Sequence, residues 1–147
     1  MNPELVVSRL YHDVDIIEVA VSVWNGTFGG TVELYVAQDE LEEVAEKLRG
    51  FPNSPVDQRD VSLGTFDPKL ACGGASLRFF CIDRAGHVRL EVKLEGGHPL
   101  AKARQRVDLF ANIDAASIDS FIPELVSLSR NNRQEAVLRF DGAVMRA

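Results

Sequence analysis

Hydrophobic and polar residues alternate with a period of two through the first third of the chain. Within residues 14–24, Ile17, Val19, Val21 and Val23 fall on one face, and Ile16, Glu18, Ala20, Ser22 and Trp24 fall on the other. The alternation resumes over residues 27–36, after Asn25-Gly26, a pair that favours a tight hairpin turn. The pattern predicts an antiparallel hairpin whose core face includes Ile17, Val19, Val21, Val23 and Leu34.

Two adjacent glycines, Gly29 and Gly30, stand at the start of the second predicted strand. Glycine inside a strand marks either a bulge that bends the strand or a place where another backbone comes close. We favour the bulge and keep the close approach as the alternative.

A helical period replaces the alternation over residues 40–49. Asp39 and Glu42 have the spacing of a capping box, and Gly50 followed by Phe51-Pro52 ends the helix. The predicted inner stripe consists of Leu41, Val44, Ala45 and Leu48.

Four further alternating runs, near residues 61–65, 77–82, 88–95 and 103–111, predict a meander of strands. A second helical stripe follows, and its start lies between Asp114 and Ser120. Pro123 lacks an amide hydrogen, which favours a start near Asp119 or Ser120 if the helix is straight. Residues 135–140 can add an edge strand, and residues 141–147 are predicted to fray. The stripe of the second helix is Ile118, Phe121, Ile122, Leu125 and Leu128.

These elements predict an α+β fold in a single domain, residues 1–147. A curved, mostly antiparallel sheet of about six to eight strands carries two helices. The side chains predicted to be buried are Ile17, Val19, Val21, Leu34, Leu41, Leu48, Val88, Leu90, Phe121 and Leu125.

Composition narrows the possible partners and the compartment. The 147 residues are 46% hydrophobic, which suffices for one core. A formal charge of −6 disfavours nucleic acid and anionic membranes as partners and suits a basic protein better. The N-terminal residues do not resemble a signal peptide, and no apolar run approaches the roughly 20 residues that span a bilayer. We therefore expect a cytoplasmic protein.

The sequence offers little catalytic or metal-binding chemistry. His12, beside Asp13 and Asp15, can be read as a metal site, but we favour a solvent-facing turn. Nucleophile elbows, phosphate loops and dinucleotide fingerprints are missing. We predict no enzyme, no metal and no cofactor, and we predict that Cys72 and Cys81 are reduced, packed thiols.

Acidic residues supply the candidate binding surface. Glu40, Glu43 and Glu46 follow one another about a turn apart on the solvent side of the first predicted helix. This face is either simply solvated or a docking surface for a basic partner, with the Asp13 and Asp15 turn as a second acidic patch. Trp24 and Tyr35 are the aromatic side chains available to anchor such a partner.

Alternating apolar segments next to glycines and two short helical segments follow one another in a fixed order along the chain. They are residues 19–23 with 28–30, 41–48 (helical), 74–79, 86–92 and 118–128 (helical). In this order they resemble the WapI-type immunity proteins, a group of small bacterial proteins, over about residues 14 to 130. The resemblance implies a protein that binds and neutralises a secreted toxin domain from a neighbouring cell, often a nuclease with a basic substrate-binding face. It implies no particular functional residues.

Other functions stay open beside protein binding. A small-molecule-binding module would use the concave face of the sheet, with Trp24, Tyr35 and Phe110 lining a pocket, and would show a closed apolar cavity where a binding protein has a filled core. An enzyme would show titratable groups converging in a cleft. A domain with no separable activity and any oligomeric state are also compatible with the sequence.

Overall fold

A computed structural model describes residues 2–67, 73–97 and 104–141, and these residues form eight strands and two helices. The strands that precede the first helix are β1 (Glu4–His12), β2 (Ile16–Trp24) and β3 (Gly29–Ala37). After the helix α1 (Glu40–Leu48) come β4 (Gln58–Gly64), β5 (Gly74–Cys81), β6 (Val88–Gly96) and β7 (Gln105–Ile113). The helix α2 (Ala115–Ser129) and the strand β8 (Glu135–Arg139) follow.

The strands form two four-stranded antiparallel sheets. Sheet A has the order β3-β2-β1-β8, and sheet B has the order β4-β5-β6-β7. The predicted α+β class, with its two helices and upper count of eight strands, is confirmed. The sequence predicted one curved sheet, whereas the strands divide into two sheets, because alternation shows which face of a strand is buried but not which strands are neighbours.

One hydrophobic cluster includes side chains from both sheets and both helices. The ten side chains predicted to be buried are all buried, each no more than 1% exposed. The predicted strand face of β2 and the stripes of both helices therefore lie where the patterns indicated.

Strand β3 runs across the ends of the strands of sheet B. Contacts along β3 join Gly30 to Val107 of β7, Val32 to Gly96 of β6, Glu33 to Gly73 before β5, and Leu34 to Gly64 of β4. The four residue steps from 30 to 34 advance about 13 Å, and the three strand spacings from β7 to β4 span about 14 Å. The two lengths match only if β3 crosses sheet B at nearly a right angle, which is orthogonal sheet packing.

The favoured bulge at Gly29-Gly30 is wrong. Strands β2 and β3 pair in continuous register from Trp24 with Gly29 to Ile16 with Ala37. The alternative, close approach of a backbone, describes Gly29, where a Cβ atom would lie 2.5 Å from the carbonyl oxygen of Val23. At Gly30 the close neighbour is a side chain, since a Cβ atom would lie 2.6 Å from Cγ2 of Val107. A larger residue at Gly30 would therefore force Val107 of sheet B to shift.

Strand β1 was not predicted from the sequence. Leu5 and Val7 are buried in the expected alternation, but the next inner positions are occupied by polar residues. Arg9 lies opposite Val19 and His12 lies opposite Ile17, so both are on the inner side of the sheet. These two polar residues remove the period-two signal over half of the strand.

The helix α1 begins at Glu40 as predicted, but its capping differs. Asp39 has φ −92° and ψ −9° and its side chain makes no capping hydrogen bond, so the predicted capping box is wrong. An N-cap normally has an extended backbone, from which its side chain can reach the first free amides. Glu42 instead accepts hydrogen bonds from Ser129 Oγ and Arg130 Nε of α2, which joins the two helices.

The helix α2 begins at Ala115, within the predicted interval but before the preferred start at Asp119 or Ser120. Pro123 therefore lies inside the helix, where it costs the hydrogen bond that its missing amide would donate. The early start was not preferred because it leaves Pro123 beyond the first turn. The first turn brings Ile118 into the core, fully buried, and this packing offsets the proline.

Strand β8 occupies an edge of sheet A, as predicted for residues 135–140. Its backbone does not present a free edge at Val137, because the amide of Val137 donates to Glu124 Oε1 of α2 at 2.9 Å. Asp141 is also tied down, since its amide donates to the carbonyl of Asn112 at 2.8 Å. The rest of the predicted frayed tail, residues 142–147, lies outside the described residues.

Of the two cysteines, Cys72 lies outside the described residues. Cys81 is a free thiol, and burial raises its pKa.

Candidate protein-binding surface

A β-bulge in β1 shapes the outer face of sheet A. The register between β1 and β2 shifts between Arg9 and Tyr11, so that Leu10 has no partner across the sheet. Leu10 is 49% exposed and its neighbour Tyr11 is 57% exposed. Bulges often re-aim side chains next to functional sites. Here the bulge presents two adjacent large apolar side chains to solvent.

Five exposed apolar side chains gather around this bulge, and we call them the hairpin patch. Tyr35 is included because it lies opposite Glu18, which in turn lies opposite Tyr11; Ile16 lies at the same end of β2. The hairpin patch holds half of the large exposed apolar side chains among the described residues, and large exposed apolar patches mark interaction sites. Its members are Leu10, Tyr11, Val14, Ile16 and Tyr35.

The segment that builds the hairpin patch carries no positive charge. Residues 10–46 contain nine acidic residues and neither lysine nor arginine. Among the described residues, ion pairs engage two of these nine carboxylates, with Arg130 on Glu42 and Arg49 on Glu46. The formally charged side chains of the segment that carries the hairpin patch are therefore all acidic, between Arg9 directly before it and Lys47 directly after it.

Asp13 and Asp15 form the tip of the hairpin between β1 and β2. Asp13 Oδ1 accepts hydrogen bonds from the amides of Asp15 and Ile16, both at 2.9 Å. These backbone hydrogen bonds hold the pKa of Asp13 below its usual value, so that a fixed negative charge borders the hairpin patch. Within residues 2–67, 73–97 and 104–141, no group of His, Cys, Asp and Glu side chains has the geometry of a metal site.

The three predicted helix carboxylates have different surroundings. Glu40 is half-buried, and its Oε1 is 3.5 Å from the amide of Ala37, the residue opposite Ile16. Glu43 is exposed on the next turn, whereas Glu46 makes an ion pair with Arg49 at 2.6 Å. Glu46 also lies about 9 Å further along the helix axis than Glu40. Glu40 and Glu43 can therefore act with the hairpin patch, and Glu46 is set apart from it.

Trp24 and Tyr35 share the outer face of sheet A but not one location. Tyr35 of β3 lies opposite Glu18 of β2. Trp24 is six residues beyond Glu18 on β2, about 20 Å along that strand. Trp24 is half-buried and lies outside the hairpin patch. The sequence thus identified one of the two tyrosines. It missed Leu10 and Tyr11, because they lie in the half of β1 where the period-two signal is lost.

The apolar space that the described residues enclose between the two sheets and the two helices is nearly filled. The enclosed apolar space between the two sheets and the two helices, lined by Leu5, Val44, Leu63 and Phe121 among others, has a volume of about 10 Å³. This space is near the minimum for one water molecule and far below the 300–1,000 Å³ typical of ligand pockets. Phe110 lies on the outer face of sheet B, opposite Glu91, so it cannot line a common pocket with the aromatic residues of sheet A.

A second group of titratable side chains lies at the turn between β5 and β6. His87 Nδ1 and Asp83 Oδ2 are 2.5 Å apart, and this contact raises the pKa of His87 and lowers that of Asp83. Burial, together with the nearby Asp114, raises the pKa of Asp141. The His87 side chain is 70% exposed. Such a pair stabilises its own turn, since Asp83 also accepts from the amides of Ala85 and His87.

Comparison of the chain with protein-family models, with curated proteins and with solved structures finds no match. Neither helix among the described residues has the length and apolar character required to cross a bilayer. The surface chemistry of the described residues is therefore the basis for assigning a function.

Proposed function

We propose that this chain is a non-catalytic protein-binding domain of the cytoplasm that neutralises a basic bacterial toxin domain by direct contact. The observation that carries the proposal is the hairpin patch, an exposed tyrosine-rich apolar surface surrounded by carboxylates. Tyrosine is among the side chains most enriched at the energetic centres of protein interfaces. The resemblance to WapI-type immunity proteins supplies the toxin as the kind of partner.

The two parts of the surface have different roles in binding. Carboxylates such as Asp15, Glu40 and Glu43 attract a positively charged partner and accelerate its encounter. Tyr11 and Tyr35 lose water on contact and slow dissociation, because large, rigid rings bury much area at a small entropy cost. The two tyrosines thus provide affinity, and the carboxylates provide a fast association rate and selectivity for a basic partner.

The test uses the purified toxin-like product of the adjacent open reading frame and measures its association and dissociation rates on the immobilised chain. Tyr11→Ala with Tyr35→Ala should weaken binding by at least about tenfold, mostly through faster dissociation. Phe28→Ala is the matched control. Phe28 is 66% exposed in the turn between β2 and β3, at the end of this strand pair that lies away from Ile16 and Tyr35. Its removal should leave both rates unchanged.

Charge reversal separates steering from anchoring. Glu40→Lys with Glu43→Lys should slow association and flatten its dependence on ionic strength, while dissociation changes little. Asp108→Lys with Asp119→Lys makes the same change in net charge elsewhere, on exposed positions of β7 and α2, and should affect association less. Equal effects of both charge pairs, together with equal effects of the tyrosine and Phe28 variants, would refute the hairpin patch as the binding surface.

A further inference from the structure

The outer face of sheet B carries an open polar cavity with a volume of about 270 Å³. Two short side chains lie at its centre, because Ser62 of β4 is opposite Ser76 of β5 and both alternate with buried neighbours. Two serines among longer side chains leave a depression on a sheet face, and we call it the serine cavity. The charged side chains that line it are Lys47, Asp60, Arg78, Glu91 and Lys93.

Positive charge exceeds negative charge in the lining of the serine cavity. Arg78 Nε lies 3.0 Å from Asp60 Oδ1, so these two side chains form one ion pair. Lys93 Nζ lies 3.4 Å from Glu91 Oε1 and forms a second. Lys47 is the third cation, and three cations with two carboxylates give the lining a formal charge of +1 in a chain whose formal charge is −6.

Lys47 is exposed near the end of α1 and makes no ion pair with a described carboxylate. The residues outside the described ranges contain neither aspartate nor glutamate, so their side chains cannot neutralise it. In the described part of the chain, the hydroxyls of Ser62 and Ser76 make no hydrogen bond either. An ammonium group and two hydroxyls can all donate, which favours an anionic ligand with several acceptor oxygens.

We propose that the serine cavity binds phosphate, either free or as the phosphate group of a small molecule. Phosphate oxygens point in several directions, so they can accept from the hydroxyls and from the surrounding cations at once. Lysine binds phosphate as a point charge, and the arginine fork matches phosphate oxygens. The volume lies just below the range of about 300–1,000 Å³ of ordinary ligand pockets, which suits a small anion. This site is on sheet B, apart from the hairpin patch of sheet A, and goes beyond the proposed function.

The test titrates inorganic phosphate into the whole chain at constant ionic strength, with sodium chloride as the balancing salt, and follows backbone amide shifts by nuclear magnetic resonance. Phosphate should cause saturable shifts centred on residues 60–62, 76–78 and 91–93, and acetate should bind about threefold or more weakly. Lys47→Gln should weaken phosphate binding by about threefold or more. Arg49→Gln is the matched control, because it removes one exposed positive charge two residues later, outside the cavity lining, and should not weaken binding.

The hydroxyls are tested separately from the charge. The Ser62→Ala, Ser76→Ala double variant should also weaken phosphate binding, whereas Ser120→Ala, which removes an exposed hydroxyl of α2, should not. Shifts that do not saturate, acetate binding as tight as phosphate binding, equal effects of Lys47→Gln and Arg49→Gln, or an unchanged affinity in the double variant would each overturn the proposal.

Glycerol 3-phosphate distinguishes the two sources of the phosphate group. Tighter binding of glycerol 3-phosphate than of inorganic phosphate would support a phosphorylated small molecule as the ligand. Equal or weaker binding of glycerol 3-phosphate, with saturable binding of inorganic phosphate, would support free phosphate.

Discussion

Replacing Arg59 by alanine should destabilise the protein far more than an ordinary surface arginine would. Arg59 Nε and Nη2 donate to the two carboxylate oxygens of Asp57 at 2.9 and 2.8 Å. Its Nη1 donates to the carbonyls of Lys47 and Arg49 at the C-terminal end of α1, at 3.0 and 3.1 Å. The guanidinium also lies over the ring of the buried Phe51, 5.7 Å from its centre. One side chain therefore joins a strand, a helix end and the core.

The size of the effect follows from these contacts. Hydrogen bonds that involve a charged group contribute about 1.5–3 kcal/mol each, but both side chains of this pair retain some solvent, at 26% and 14% exposure. After discounting for this exposure, we expect Arg59→Ala to cost about 2–4 kcal/mol, because two helix carbonyls and the Asp57 carboxylate lose their partner. For a chain of this size that corresponds to a fall in Tm of about 10 °C.

Urea unfolding followed by circular dichroism measures the free energy of unfolding. Arg78→Ala is the control, since Arg78 makes an ion pair with Asp60 at 3.0 Å but is 51% exposed, and its loss should cost less than about 1 kcal/mol. Arg59 and Asn53 hold the pKa of Asp57 below its usual value. The stabilisation from Asp57 is therefore present above about pH 4 and is lost as the pH falls through its lower folded-state pKa. An Arg59→Ala loss no larger than that of Arg78→Ala, or one independent of pH between about 2 and 6, would refute this reasoning.

Three further predictions concern the core, the sheet crossing and the C-terminal segment. Leu90→Ala should lower the free energy of unfolding by about 2–5 kcal/mol in the same urea assay, and a loss below about 0.5 kcal/mol would contradict its full burial. Gly30→Ala should lower Tm because its new methyl group meets Val107, and adding Val107→Ala should restore part of the loss; additive losses would argue against the contact. The pKa of Asp141 is raised, so folding favours its protonated form and its charge opposes folding at neutral pH. Asp141→Asn should therefore raise Tm at pH 7 and bring no gain near pH 3, and an equal gain at both values would contradict the raised pKa.

The sequence predicted the elements whose buried faces are purely apolar. Strand β6 and helix α1 are examples, since their inner positions hold only apolar side chains. It failed where a polar side chain faces inward or where a distant segment decides the local structure. Arg9 interrupts the pattern of β1, and Val107 of sheet B lies too close to Gly30 for a larger residue to fit without a shift.

The candidate surface was predictable only in part for a related reason. Charge and residue type identify Asp13, Glu40 and Tyr35 as exposed and polar, and the structure brings these residues to one end of sheet A. The partner of Tyr35 in the surface, Tyr11, reaches it through a bulge, which depends on how two backbones pair. Trp24 shares its alternation with Glu18 but lies too far along the strand to cooperate.

The pairing of β1 with β8 has a consequence for how the chain acquires its structure. Glu4 lies opposite Arg139, so the fourth strand of sheet A is added through a contact between segments almost the full described length apart. Closing so long a loop is entropically costly, and chains dominated by such contacts fold slowly. During synthesis, β1, β2 and β3 can associate as soon as they leave the ribosome, but Leu5 and Val7 remain at an open edge until β8 follows. A newly made chain therefore exposes this edge for the longest time, and it is the place where a chaperone or a second nascent chain would first make contact.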